Sequence, residues 1–386
     1  MTALTVERIE SLAGFRAIEH EWRAFEERLV PLPFGTFDWN LAWWEHMHAA
    51  KLGVRDHLFI HTFRNREREL CGIAPMMRTR RPGVGPLSVR QLQFIGADPN
   101  ITEIRGVLAP PDTMTDVVKV LWDHLREHSA DWDWLQLSGL PASDGLNQTV
   151  ENIKSSHWVR DVSNFYLELP ATWAEFKTQL SRNVKESLRK CYNAPKRDGV
   201  TFDFTVQQSP SEAGPALDVF FRLHEARASA TEGVKHGNVF RTPQARQFLI
   251  GVCQRFAARD ALRVFQLKLG DRVIATRIGF VLRDSLYLYY SGYDPEYGKY
   301  SVMTTTVAEA IQYAIAQGFA TINLSTGNDI SKQRWSPREL IYRDAMLWSP
   351  SMRGAVTRHA YGFARERIQG GLSRVRILGA FGRSAG

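Results

Sequence analysis

The chain reads as an α/β protein made of two copies of one strand-and-helix unit, and three observations predict this. The first is LYLYYSGYDPEYGKYSVMTTTVAEAIQYAIAQGFATINLSTGN, residues 286–328, which runs as strand, tight loop, helix and strand without a break. The second is order: a hairpin, a helix and a closing strand occur in the first half and recur in the second, ending on LQLSG at 135–139 and INLSTG at 322–327. The third is size. At 386 residues and 44% hydrophobic content, the chain exceeds the usual single-domain range and can bury a core in each half.

In the first half, DHLFIHTF and ELCGIAPMMRTR predict a hairpin about the polar turn Arg64 to Glu67. VRQLQFIG and ITEIRGVL predict short strands, Thr113 to His128 a helix, and DWLQLSGLP a closing strand. Gly145, Asn147, Ser155 and Ser156 dilute any periodicity between Asp144 and Ser163, which places a boundary there. The division is then 1–155, 165–350 and a tail, 351–386. The second half opens with TWAEFKTQLSRNVKESLRKCYN, where Thr172 and Glu175 form a capping box and Phe176, Leu180, Val184 and Leu188 share one helical face. Its other face carries Lys177, Arg182, Lys185, Arg189 and Lys190, a pattern that suits phosphates or plain solvation. A helix over Pro215 to Ala230 turns Leu217, Phe220 and Leu223 to a core and carries His224 and Arg227 near its end. A hairpin follows at Gly270-Asp271, then the strand Leu286 to Tyr293. Asp294-Pro295 and Tyr297-Gly298 break that strand, Ser301 caps a helix to about Gln317, and Gly318 stops it.

The chemistry concentrates around that last helix. Its free N–H groups, near Lys299, Tyr300, Ser301, Val302 and Met303, carry partial positive charge and suit a phosphate or pyrophosphate. Candidate acids or bases beside the strand are Tyr290, Tyr293, Asp294 and Tyr297, with His224 from the neighbouring helix; Tyr287 and Tyr289 read as core. STGNDISKQRW, 325–335, follows the closing strand, where loops bind ligands. Asn328, Asp329 and Lys332 suit sugar hydroxyls or an anionic group, and Trp335 suits either ring stacking or a buried anchor.

Composition excludes several classes. No apolar run reaches the roughly 18 residues of a membrane span, and MTALTVERIESLAGF lacks signal-peptide regions, so a cytoplasmic protein is expected. Cys71, Cys191 and Cys253 are too few and scattered for disulfides or a thiolate metal site. The net charge of +8 is concentrated in the tail, where seven arginines face the one acid Glu366. With Val356, Ala360, Phe363, Ala364 and Ile368 the tail suits either an amphipathic helix on an anionic membrane or a docked terminal helix. HLREH at 124–128 has metalloprotease-like spacing without an apparent third ligand, so no metal is expected. GVG at 83–85 lacks strand-to-helix context, and nothing forms a nucleic-acid module.

The hairpin LRVFQLKLGDRVIATRIGFVLRDSLYLYYSGYD, the loop YDPEYGKYS, the strand ATINLSTGN and Lys332-Gln333-Arg334-Trp335 resemble the acyl-CoA-binding core of Gcn5-related N-acetyltransferases, GNAT proteins. The branch resembled is that of the cellulose-biosynthesis protein CelD, related to the FemABX aminoacyl transferases, over roughly residues 170–348. The resemblance implies tandem GNAT-like domains, each a mixed β-sheet flanked by helices, the C-terminal one catalytic and the N-terminal one degenerate. It implies acetyl-CoA or another acyl-CoA as cosubstrate and direct acyl transfer with no covalent enzyme intermediate. Splayed strands supply the backbone donors, and the helix bearing His224 and Arg227 flanks an acceptor pocket. The implied acceptor is an amino group of a cell-envelope sugar, a polysaccharide precursor or a similar small molecule; contact with the inner membrane is read from the tail's charge alone, beside the docked-helix alternative. Two alternatives stand beside it: a FemABX-like transferase using charged tRNA, and a non-catalytic partner of an envelope polysaccharide synthase. One departure is local: the glycine-rich pyrophosphate loop is absent, and Val302 stands where CelD-like chains carry proline followed by glycine.

Overall fold

A computed structural model of the chain describes residues 4–83, 88–98, 100–230 and 237–362. The first half runs β1 (Thr5–Ile9), α1 (Leu12–Ala17), α2 (Glu19–Glu26), α3 (Phe37–Met47), β2 (Ala50–Lys51), β3 (Val54–Leu58), β4 (Ile60–Arg64), β5 (Leu70–Ala74), β6 (Met76–Pro82), β7 (Ser88–Phe94), α4 (Met114–Glu127), β8 (Trp134–Pro141) and α5 (Asp144–Glu151). Then follow β9 (Ser156–Glu168), α6 (Trp173–Gln179), α7 (Arg182–Arg197), β10 (Asp203–Gln207), α8 (Pro210–Ala228), α9 (Pro243–Ala258), β11 (Leu262–Leu269), β12 (Arg272–Leu282), β13 (Ser285–Tyr293), α10 (Val302–Ala316), β14 (Thr321–Thr326), α11 (Ile330–Gln333) and β15 (Arg338–Trp348). Ser11, Thr36, Ser143 and Thr242 cap their helices through side-chain oxygens, satisfying first-turn N–H groups.

The strands form one 12-stranded mixed sheet in the order β10-β11-β12-β13-β14-β9-β15-β8-β7-β6-β3-β2, with a 3-stranded sheet β1-β4-β5 beside it. Each half holds one parallel pair, β7 with β8 and β13 with β14, within otherwise antiparallel neighbours. The repeat legible in the sequence is therefore present in space. β9 and β15 join the halves, because β15 pairs with both β8 and β9 while β9 also pairs with β14. The stretch read as a weakly patterned boundary consists of α5 and the start of β9.

Three expectations need correction. ITEIRGVL forms no strand; it makes a single bridge, Leu108 to Ile73. Instead its backbone lies against β8, where a Cβ on Gly106 would sit 2.4 Å from the Ser138 oxygen and one on Gly139 (φ +65) 2.3 Å from the Arg105 oxygen. β7 and β8 share only two paired positions, so this close backbone packing fills the fork in the first half. The helix expected over 172–193 breaks at Leu180, whose backbone is extended, and Ser181 caps α7 anew. α8 begins earlier than Pro215, at a second capping box of Ser209 and Glu212. The tail beyond residue 362, with Phe363, Ala364, Glu366 and Ile368, lies outside the described residues, as do Val84 and Gly85 of GVG.

One apolar core crosses the junction. Trp39 of α3 packs edge-on to Phe248 of α9, Phe280 of β12 and Tyr289 of β13, at ring distances of 5.2, 6.0 and 5.6 Å. The halves consequently hold each other in register.

Candidate active site

β13 and β14 pair only at Ser285–Thr321, Leu286–Ile322 and Tyr287–Asn323, then diverge. Both strands contribute to the divergence. Tyr289 and Tyr290 of β13 together oppose Ile278 of β12, a bulge that turns the strand. On β14, Ser325 adopts a left-handed φ of 71 and its N–H donates to Asn323 Oδ1 at 2.8 Å instead of to a strand. Asn323 and Asn164 lock this bend by exchanging amide hydrogen bonds of 2.8 and 3.1 Å. The fork therefore leaves strand edges facing a cleft, where backbone donors can meet a carbonyl oxygen.

α10 forms one side of the cleft through Met303, Thr304 and Val307, and Leu324 and Trp335 form another. Three cations converge on it: Arg227 of α8, Arg277 of β12 and Lys332 of α11. Burial pulls all three below their ordinary values, Arg277 to about 10. Arg227 donates to Ser291 Oγ at 2.8 Å, and Lys332 Nζ lies 3.2 Å from Asp329 and donates to the Thr326 carbonyl. Among the described residues nothing accepts from Arg277 Nε. An anion or a polarised carbonyl would meet that positive charge at low dielectric.

At the apex of the fork stands a residue that sequence reasoning missed. Glu103, from the misread stretch 101–108, accepts from Tyr287 Oη at 2.5 Å and from both the N–H and hydroxyl of Thr326 at 3.2 Å, all on Oε2. Burial pushes its carboxyl above the usual carboxylate range, while the hydrogen bonds and Lys332 pull the other way. Its sequence signal was faint, a lone acid in an apolar run 184 residues from Tyr287.

The predicted residues separate into groups. Met303, Arg227, Lys332 and Trp335 line the cleft, Trp335 also being buried and stacked on Phe176 at 6.5 Å. Lys299, Tyr300, Ser301 and Val302 stand at the α10 N-terminus. Ser301 occupies the cap position without a side-chain cap bond, in left-handed conformation (φ 54, ψ 41), so it caps through backbone placement alone. Thr304 and Thr305 N–H groups bond its carbonyl. Exposed Lys299 and half-buried Arg334, which reaches Thr304 at 3.4 Å, flank this turn, though Asp198 lies 3.9 Å from Lys299 and accepts from Tyr300. Donors and charge there fit a phosphate.

His224 is buried on α8, its Nδ1 3.0 Å from the Ser291 carbonyl, and burial lowers its pKa. Gly292 permits this: a Cβ there would lie 2.4 Å from the His224 nitrogen. Tyr290 donates to the Asn100 carbonyl at 2.6 Å, as Tyr289 does to Ile101 at 2.5 Å, tying β13 to the first half. Asp294 accepts from Arg272 at 2.5 Å and from Glu296 N, which fixes the turn before α10, and Tyr297 stacks under Arg272. Asn328 and Asp329 are exposed and bonded within their own loop, to Gln333 and to Ser331 and Lys332. In the first half, His124 packs against His61 and His128, and no group of three or more potential ligands among the described residues is arranged to hold a metal.

Residues 182–335 match the acetyltransferase (GNAT) domain family. This stretch of the chain is similar to GNAT acetyltransferase domains, and acyl transfer is the activity class the match supports. Among solved structures, FemX is similar at 10% identity and TM-score 0.56, over 87% of this chain and 96% of its own, which supports the two-half fold. L-PGS from Bacillus licheniformis (12% identity, TM-score 0.49, 90% and 95% covered) and a tandem GNAT protein from the clavulanic acid biosynthesis pathway (9%, 0.47, 90% and 99%) are also similar. No curated protein matches the chain. Among the described residues no helix is long and apolar enough to cross a membrane.

Proposed function

We propose that the chain transfers an acyl group from acyl-CoA to a primary amine, without a covalent enzyme intermediate. The observation that carries this is the fork of β13 and β14 with an acid, Glu103, at its apex and cations on its walls. When bound, CoA would supply the activated thioester. The α10 N-terminus with Lys299 and Arg334 would hold its phosphates, and Met303, Thr304 and Val307 would line its arm. As the amine nitrogen bonds to the acyl carbon and the C–S bond breaks, Glu103 would take the amine proton, Arg277 with Lys332 would stabilise charge developing on the carbonyl oxygen, and CoA would leave as its thiolate, to be protonated from solvent. No side-chain nucleophile is required. An envelope amino sugar remains the acceptor implied by the CelD resemblance. A second donor, aminoacyl-tRNA on the same fork, is the one the FemABX resemblance implies.

The test is calorimetric titration with CoA, acetyl-CoA and longer acyl-CoAs, then amide formation with amine acceptors, with and without ribonuclease. Saturable CoA binding and ribonuclease-resistant turnover are expected. Absence of CoA binding together with ribonuclease-sensitive turnover would transfer the reading to charged tRNA.

A further inference from the structure

A cavity of about 270 Å³ lies where the two halves meet and shares no lining residue with the cleft at α10. Its rim is exposed at Glu27, Val30, Asp260 and Arg283, and the Arg283 guanidinium clips the halves together by donating to the Glu27 and Leu29 carbonyls at 2.8 and 2.7 Å. Leu32, Phe34, Ile95, Val107, Phe256 and Val281 make its walls apolar. At its inner end it meets Arg105 and Tyr342, and these same residues line a small polar recess that also contains Glu103. Arg105 and Tyr342 therefore stand between the cavity and the proposed base, which lines a recess of about 10 Å³, room for one water-sized polar group.

Arg105 is the unusual member of this pair. Its Nη1 reaches the Gly96 carbonyl at 3.3 Å, and among the described residues its buried Nε has no acceptor. The carboxylates whose charge acts on it are already engaged, Asp98 by Trp43, Thr102 and the Ile101 N–H, and Asp344 by Arg160 at 2.7 Å and the Gly139 N–H at 2.9 Å. A buried guanidinium with an unmet donor favours an anionic partner.

We propose that this cavity and recess hold the acceptor, and that the acceptor is an amphiphilic amine. Its amine meets Glu103, a carboxylate or phosphate meets Arg105, and its hydrocarbon portion fills the cavity. A void of roughly 150 Å³ admits benzene, so this one has room for about ten carbons. The inference rests on the acyl-transfer reading, because it takes Glu103 as the base.

The experiment is calorimetry on the full chain without acyl donor, using 2-aminodecanoic acid and decyl phosphoethanolamine, with decylamine and glucosamine as comparators. At least one anionic amine should bind about tenfold or more tighter than decylamine, the loss expected when a charged hydrogen bond is missing. The better of the two names the source, a hydrophobic amino acid or a lipid headgroup. Arg105→Gln should erase that advantage and leave decylamine unchanged. Leu282→Trp, at a half-buried wall position, should weaken every chain-bearing probe and serves if the arginine variant fails to fold. Equal binding of glucosamine, binding by neither anionic amine, or affinities indifferent to both variants overturns the proposal. Acetyl-CoA titrations of the same samples separate the two failures: donor binding that persists while the amines fail sinks only the acceptor inference, and lost donor binding sinks the acyl-CoA reading.

Discussion

Burial lifts the Glu103 carboxyl above the usual carboxylate range, so at the fork it is a better proton acceptor than an exposed glutamate would be. Glu103→Gln keeps the shape and removes the base. Turnover should fall about 10²- to 10⁴-fold with CoA affinity nearly unchanged, measured by steady-state kinetics and calorimetry. Because the ionised carboxylate is the active form, kcat/KM of the parent should fall as pH drops through the raised Glu103 pKa, and the glutamine variant should lack that limb. A parent-like pH profile in the variant would assign the base elsewhere. Glu26 gives a stability test of the same kind. Burial raises its pKa from 4.5 to about 7, against the pull of the Phe37 N–H and Arg259. The folded state then holds a proton that the unfolded chain has released, so stability should decline as pH rises from about 4.5 to 7, by up to about 3 kcal/mol. In Glu26→Gln that decline should shrink, as read from urea midpoints across the window.

The element carrying most of the site is the turn into α10, and its strain sits at one residue. Ser301 holds a left-handed backbone that costs a non-glycine residue on the order of 1 kcal/mol, so Ser301→Gly should be close to neutral, whereas Ser301→Val should lower the thermal midpoint. Ser301→Asp should weaken CoA binding by charge repulsion, and unchanged affinity would move the phosphate site away from this helix. This turn was legible because it is local: Asp294-Pro295, Gly298 and the apolar helix are neighbours in the chain, and capping chemistry acts over three or four residues. The same locality made the Thr172–Glu175 box, the 270–271 hairpin and α4 readable. What failed was register between distant segments. Nothing in ITEIRGVL announces that Gly106 must pass Gly139 backbone to backbone, or that Glu103 will meet Tyr287, because the partners that decide both are on other strands. Tyr290 shows the limit from the other side. It is a well-placed strand tyrosine by pattern, yet its hydroxyl is bonded to the Asn100 carbonyl.

At the scale of the molecule, the two halves share strands, core and site. β9 and β15 lie between the two parallel pairs, Trp39 packs on Phe248, Phe280 and Tyr289, and Tyr287, Tyr289 and Tyr290 all bond to residues 100–103 of the first half. Removing residues 1–150 would strip β8 from the edge of β15, expose the shared core and take away Glu103. The C-terminal half carries the GNAT match but lacks Glu103, the proposed base, and shares its core with the first half. Scanning calorimetry of the whole chain should accordingly show one cooperative transition, with calorimetric and van't Hoff enthalpies in agreement. A fragment beginning at residue 152 should be unstable alone and regain acetyl-CoA binding when refolded with residues 1–151. Two separate transitions, or an isolated C-terminal fragment that binds acetyl-CoA with parental affinity, would show that the halves fold independently and that the junction contributes little to the site.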